Sequence, residues 1–135
     1  MKPWGYCLAA VVVLSACRSR APIGGDGPSS IRVPSLSYPT DAASIAKGQQ
    51  IFAAKACGSC HALGTGRLVG PDLRGVTARR NLPWIAKMIL KPELMIHVDP
   101  LAKKLYARYM APMGNQRVDP ASELPALLAW LKANE

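Results

Sequence analysis

The residues with the clearest chemical potential are Cys57, Cys60 and His61, which occur in the order Cys-Gly-Ser-Cys-His. Two thiols three positions apart fall on one turn of chain, and the imidazole follows the second thiol directly. Each thiol can add across a vinyl group of a porphyrin, and the histidine is then placed to bind its iron from below. This spacing is the attachment pattern of a c-type haem.

Other interpretations of the same five residues have less support from the sequence. A closed zinc site needs four ligands, and the two remaining cysteines, Cys7 and Cys17, are excluded by their position near the N-terminus. A thioredoxin-like redox pair needs a surrounding βαβ pattern, and no run of strands is indicated. Chance occurrence of the motif is the remaining alternative. Export and downstream signals favour haem attachment.

From Gly48 to Leu131 the sequence resembles the class I cytochromes c. The resemblance implies an all-α fold, a small class I cytochrome c fold of four to five helices and loops wrapped around one covalently attached haem. It implies one haem c, held through Cys57 and Cys60, with His61 as an axial ligand of the iron. We assign residues 41–135 to this haem domain.

The N-terminal segment is predicted to be a processing signal. Lys2 supplies a positive end, and the stretch from Trp4 to Ala16 is almost wholly apolar, but it is shorter than the ~20 apolar residues that a membrane-spanning helix needs. The sequence Leu-Ser-Ala-Cys ending at Cys17 resembles the cleavage site of a bacterial lipoprotein. We therefore expect residues 1–16 to be removed and Cys17 to carry a lipid. Ordinary cleavage and an uncleaved anchor are the alternatives.

Residues 17–40 are predicted to be a tether that begins at the lipidated cysteine, because Gly, Pro and Ser break every periodic pattern in this stretch. Within it, Ile31 to Tyr38 contains alternating apolar residues and either packs on the domain as an extended strap or stays mobile. With one cysteine lipidated and two bound to haem, no thiol of the mature chain is left for a disulfide.

Four helices are indicated. The first begins at Ala42 behind the N-cap Asp41 and runs toward the haem motif. The resemblance places Gly48 and Phe52 where this helix crosses the last one, the missing side chain of the glycine allowing close approach. A second helix is predicted from Leu82 or Pro83 through Leu90.

A third helix is predicted through Tyr109, with Asp99 as its cap. The last helix carries Leu127 and Trp130, which the resemblance places against the first helix. Its start is ambiguous because of Pro125: a start after Asp119 puts this proline in the helix interior, where it would cause a kink, whereas a start after Ser122 puts it in the first turn.

The sequence Gly-Pro-Asp-Leu-Arg-Gly at residues 70–75 follows the haem motif closely. In class I cytochromes the proline carbonyl of this loop accepts the proton on the far nitrogen of the haem-binding histidine. The resemblance therefore implies a contact between His61 and Pro71, which would orient the ring and raise its basicity. An ordinary Gly-Pro turn is the alternative reading.

The second axial ligand is sought among the methionines. Met113 lies in Ala-Pro-Met-Gly before the last helix, which resembles the distal-ligand loop of the family, so the resemblance implies a His61/Met113 pair. Met110 is the runner-up, and Met88 is most simply a core residue. His97 would give a bis-histidine haem, although a partly exposed histidine before a turn is the simpler interpretation.

The chain is basic, with 17 Lys and Arg against eight Asp and Glu and a net charge of +9. Positive charge near the haem edge would steer docking onto a redox partner with an acidic surface. Export argues against nucleic acid as the partner. The residues we expect there are Lys55, Arg67, Arg79, Arg80, Lys103, Lys104 and Arg108. A generally basic, soluble surface is the alternative.

A histidine and a thioether would fill both axial positions of the iron, and thioether ligation favours the ferrous state. We therefore expect a monomeric one-electron carrier, not an enzyme, lipid-anchored on the periplasmic side of the bacterial envelope. Its expected partners are an oxidase, a reductase or a quinol-oxidising complex of a respiratory chain. Two alternatives are a haem sensor or enzyme with an open axial site, and an assembly factor for an oxidase or reductase.

Overall fold

The computed structural model describes residues 32–33 and 36–135. The predicted signal peptide, the predicted lipidation site Cys17 and the predicted tether up to residue 31 lie outside these residues. The described part is helical and contains no strand, and none of its helices is long and apolar enough to cross a membrane. The helices are α1 (Ala42–Ala54), α2 (Val76–Arg79), α3 (Leu82–Leu90), α4 (Pro92–Val98), α5 (Pro100–Tyr109) and α6 (Leu124–Ala133), with a 3-10 turn at Cys57–Ser59.

Side-chain caps fix where three of the helices begin. The Asp41 carboxylate accepts a hydrogen bond from the Ser44 amide at the start of α1, at 2.8 Å. Asp99 does the same for the Ala102 amide at the start of α5, also at 2.8 Å. Both predicted N-caps are therefore confirmed. Asn81, which accepts from the Trp84 amide, caps α3 in the same way.

Close contact between α1 and α6 organises the core. A methyl group added to Gly48 would lie only 2.0 Å from the carbonyl oxygen of Ala126 and 2.7 Å from Cβ of Trp130. The two backbones thus meet where Gly48 has no side chain, as predicted. Leu127 is buried beside this contact, and Phe52 is half-buried against the same core.

The last helix begins late enough to accommodate its proline. α6 starts at Leu124, so Pro125 is its second residue and interrupts no helical hydrogen bond. Before it, the Asp119 carboxylate accepts from the amides of Ala121 and Ser122 and holds residues 120–123 in a turn. Of the two predicted starts, the structure shows the later one.

Six α-helices are present in the described residues, instead of the four to five expected. The additional helices are α2 and α4. The four residues of α2 are too few to give a periodic pattern. After the end of α3, Pro92 is suited to the first position of a new helix. It begins α4, which places Met95 in the core with no exposed surface.

The end of the predicted tether packs on the domain. Val33, Leu36 and Tyr38 are half-buried against the hydrophobic core. The ammonium group of Lys132 in α6 lies 5.8 Å from the centre of the Tyr38 ring. Partial burial raises the pKa of Tyr38, and the nearby Glu135 carboxylate adds to this. Of the two possibilities, these contacts support the extended strap at the described residues 32–33 and 36–38.

Candidate functional site

The cysteine-containing turn follows α1 almost immediately. Helix α1 ends at Ala54, and Ala56 has a left-handed backbone with φ of 53°, which turns the chain away from the helix axis. The amide of His61 then donates to the carbonyl of Cys57 at 3.0 Å. Cys57 is partly buried and Cys60 is exposed, and burial raises the pKa of the Cys57 thiol.

A cavity of about 280 Å³ lies beside this turn and brings the predicted site residues together. Cys57, Cys60, His61, Pro71 and Met113 all line it. Apolar side chains from all six helices form most of its wall. These are Phe52, Val76, Trp84, Ile85, Met88, Ile89, Ile96, Leu105, Leu127 and Leu131.

The hydrogen bonding of His61 fixes the state of its ring. Nδ1 of His61 lies 2.8 Å from the carbonyl oxygen of Pro71. A carbonyl can only accept a hydrogen bond, so Nδ1 carries the proton and the lone pair is left on Nε2. The contact inferred from the resemblance is therefore present in the structure, and the ring is left with one basic nitrogen able to bind a metal.

Two backbone hydrogen bonds join the proline loop to the histidine segment. The amide of Gly70 donates to the carbonyl of Cys60, and the amide of Leu73 donates to the carbonyl of Ala62, both at 2.8 Å. Gly70 also packs flat against His61, because a methyl group at this position would lie 2.7 Å from Cε1 of the ring. The position of His61 thus depends on a small residue at position 70.

The sequence interpretation missed the role of Asp72. Its carboxylate accepts hydrogen bonds from the amides of Gly64, Gly66 and Arg74 at 2.7 to 2.9 Å. These bonds lower the pKa of Asp72, the Arg74 amide contributing most, and they close the loop between His61 and Pro71. Arg79 supports the same loop by donating to the Asp72 carbonyl at 2.9 Å. An aspartate shortly after two loop glycines was the only signal available, and it is too common to be decisive.

The candidate second ligands differ in their surroundings. Of the methionines in the described residues, Met88 and Met113 line the cavity. Met95 is completely buried in the helical core, and Met110 is 77% exposed at the end of α5. His97 is exposed on α4. The geometry therefore leaves Met113 in the loop, and Met88 in α3, as the thioethers that face the site.

Part of the expected basic group lies at the cavity. Arg79 and Arg80 line it, as does Tyr109. The guanidinium groups of Arg67 and Arg108 lie 4.7 and 5.7 Å from the centre of the Tyr109 ring. The other expected residues, Lys55, Lys103 and Lys104, are not among the residues that line the cavity.

The chemistry of these residues fits a covalently attached haem. The thiols of Cys57 and Cys60 lie on one turn, His61 has a free lone pair on Nε2, and the thioether of Met113 lines the same space. The walls are mainly apolar, as an aromatic macrocycle requires. These residues would hold the group by two thioether bonds and by ligation of its iron.

Comparison with known proteins agrees with this assignment. The sequence pattern of the cytochrome c family matches residues 45–135. Among solved structures, a cytochrome c from Rhodothermus marinus is 33% identical, with 81% of this chain and 90% of that chain covered and a TM-score of 0.69. An engineered form of that protein, Rma TDE, is 32% identical over the same shares, with a TM-score of 0.68. The same engineered form bound to a carbene intermediate, also 32% identical over those shares, has a TM-score of 0.61. No curated protein matches the chain.

Proposed function

The chain belongs to the cytochrome c family, and from this premise we propose that it is a one-electron carrier whose haem iron is bound by His61 and Met113. Members of this family transfer electrons by means of haem, and the chain accordingly carries one haem c, attached through the cysteines of its CxxCH motif. The observation that carries the proposal is that Cys57, Cys60, His61 and Met113 line one cavity.

When bound, the haem supplies reversible exchange of one electron between its ferrous and ferric states. The contribution of the chain is to set the ligands. The Pro71 carbonyl holds His61 in one tautomer and fixes the orientation of its ring, which leaves the lone pair on Nε2 for the iron. The thioether of Met113 would be the second protein ligand of the iron and would favour the ferrous state. If both residues bind the iron, oxygen and peroxide would have no site on it, so we propose an electron carrier and not an enzyme.

Arginines near the cavity suggest the kind of partner. Arg79 and Arg80 line the site, and Arg67 and Arg108 stack on Tyr109 at its edge. Guanidinium groups pair well with carboxylates, because their planar set of donors matches the geometry of a carboxylate. We propose that they orient the protein, as a monomer, on the acidic docking surface of an oxidase, a reductase or a quinol-oxidising complex in a respiratory chain.

The proposed location rests on the N-terminal sequence. The lipoprotein-like site at Cys17 would anchor the protein to a membrane on the periplasmic side of the bacterial envelope. The strap formed by Val33, Leu36 and Tyr38 then connects the tether to the domain. Anchoring would keep the domain at high local concentration near partners in the same membrane. Mass spectrometry of the exported protein tests this, since a lipidated Cys17 would be the first residue.

The absorption spectrum of the exported, haem-loaded protein tests the proposed ligation. We expect a low-spin haem with the weak far-red sulfur-to-iron band in the ferric state, and we expect Met113→Ala to lose that band. Met88→Ala is the matched control, because Met88 also lines the cavity and its removal should leave the band in place. A high-spin spectrum that responds to carbon monoxide would contradict the proposal and support a sensor or enzyme.

A further inference from the structure

The loop that carries Met113 is held by two side chains from outside it. Residues 110–119, between α5 and α6, form neither helix nor turn. We propose that Glu93 and Lys55 are positioning residues that clamp this loop and thereby determine how firmly Met113 stays on the iron. The proposal rests on the function above, because it requires Met113 to be the axial ligand.

Glu93 provides the first attachment. Its carboxylate oxygen accepts a hydrogen bond from the amide of Asn115 at 3.0 Å, two residues beyond Met113. Glu93 stands in the first turn of α4, which is fixed to the core by the fully buried Met95. The Asn115 side chain in turn accepts from the amide of Arg117 at 2.9 Å. The constraint imposed by Glu93 therefore continues along the loop.

Lys55 provides the second attachment, from the other side of the site. It lies at the end of α1, two residues before Cys57, and its ammonium group donates to the carbonyl of Arg117 at 3.0 Å. The same group pairs with Glu123 at 2.9 Å, and Glu123 also accepts from the Asp119 amide at 2.8 Å. Lys55 thus joins the segment that carries the first thiol to the segment that follows Met113.

The two attachments shorten the free part of the loop. With Asn115 fixed by Glu93 and Met110 fixed at the end of α5, only residues 111–114 lie between fixed points, and Met113 is one of them. Segments with few packing contacts open locally at little cost in free energy. Loss of the Glu93 contact would extend the free segment from Met110 to Arg117, and loss of the Lys55 contact would release Arg117, to which the Asn115 side chain is bonded. In either case Met113 would leave the iron more often, and an external ligand would compete more successfully.

Imidazole binding to the ferric, haem-loaded protein measures this competition. We expect Glu93→Ala and Lys55→Leu each to bind imidazole about three- to tenfold more tightly than the unchanged protein, the ratio that corresponds to one lost hydrogen bond. Glu93→Gln keeps a hydrogen-bond acceptor and Lys55→Arg keeps a donor, so their imidazole affinities should stay within about twofold of that of the unchanged protein. Glu135→Ala is the matched control, because Glu135 pairs with Lys132 and does not contact the loop.

Amide hydrogen exchange provides a second readout that does not depend on an added ligand. In the haem-loaded protein the amide of Asn115 should exchange about three- to tenfold faster in Glu93→Ala than in the unchanged chain, whereas exchange in the α1 and α6 core should be unaltered. If Lys55→Leu does not fold, Glu93→Ala alone decides the question.

Two different failures can be told apart. If Met113→Ala loses the far-red band and binds imidazole more tightly, but Glu93→Ala and Lys55→Leu behave like the unchanged protein in both assays, the clamp is overturned and the ligation stands. If the unchanged protein lacks the far-red band, and if Met113→Ala binds imidazole with the same affinity as the unchanged protein, Met113 is not a ligand of the iron. The clamp proposal is then overturned as well.

Discussion

Replacement of Gly70 by alanine tests whether the proline loop positions His61. The added methyl carbon would lie 2.7 Å from Cε1 and 3.0 Å from Nδ1 of His61, and 3.3 Å from the Cys60 carbonyl oxygen. Ordinary contact begins at 3.4 Å, so the ring or the loop must move by about 0.7 Å. The backbone of Gly70 does not have a positive φ, so the alanine introduces no backbone strain and its effect is on the ring.

The movement is larger than the hydrogen bond between His61 and Pro71 can absorb. That bond measures 2.8 Å, and N–H···O bonds weaken beyond about 3.2 Å. Loss of a partner that orients a metal-binding histidine typically weakens ligation by about 10- to 100-fold. We therefore expect Gly70→Ala to lower the affinity of Nε2 for the iron by a factor in this range.

Acid titration of the haem-loaded protein measures the effect, because protons and iron compete for Nε2. A tenfold weaker bond raises by one unit the pH at which the low-spin spectrum is lost, so we expect a rise of about one to two pH units. Gly58→Ala is the matched control: it lies between the two cysteines, and its methyl carbon would meet Phe52 at an ordinary 3.5 Å. A rise below about 0.3 unit in Gly70→Ala would show that the ring is not positioned by this loop.

Three further predictions concern stability. Gly48→Ala should lower the free energy of unfolding, measured in denaturant, by about 2–4 kcal/mol, because backbone atoms block the new methyl group. The control Ala46→Gly, on the exposed side of α1, should lower it only by the difference in helix propensity, about 1 kcal/mol. A Gly48→Ala protein more stable than the unchanged chain would contradict the close crossing of α1 and α6. Met110→Gly should raise the melting temperature by relieving a left-handed residue with φ of 55°, and it should leave the far-red band unchanged. Backbone hydrogen bonds, chiefly from Arg74, lower the pKa of Asp72 in the folded state. The stability advantage of the unchanged protein over Asp72→Asn should therefore be complete above about pH 4 and should disappear as pH falls through the lowered folded-state pKa. An advantage that persists in strong acid would refute this.

The sequence was most informative where local pattern and resemblance coincide. Asp41 and Asp99 could be predicted as caps because capping is local. Gly48 could be placed at the helix crossing because its position relative to the haem motif matches the resembling family. In contrast, the start of α6 depended on the turn formed by the Asp119 side chain, which no helical periodicity encodes. Pro92 can end one helix or begin another, and only the burial of the following turn decides which.

The contacts that hold the Met113 loop were beyond sequence reasoning for a different reason. Glu93 reaches Asn115 across 22 positions, and Lys55 reaches Arg117 across 62. Both are hydrogen bonds to backbone atoms. Every residue type has a backbone carbonyl and nearly every type has a backbone amide, so the identity of the partner residue gives no indication of the contact. Lys55 in particular was expected to serve partner docking, which stays a prediction; the structure shows that its ammonium group also bonds to Arg117 and Glu123 within the domain.

The positions of both proposed axial ligands depend on the crossing of α1 and α6. The segment that carries Cys57 and His61 begins where α1 ends, and the loop that carries Met113 leads into the start of α6. The ion pair between Lys55 and Glu123 joins these two ends at 2.9 Å. Neither ligand segment is itself part of a long helix, so their separation is set by how closely the helices approach at Gly48. A substitution that forces α1 and α6 apart should therefore weaken the far-red band as well as the fold, even though Gly48 does not line the cavity.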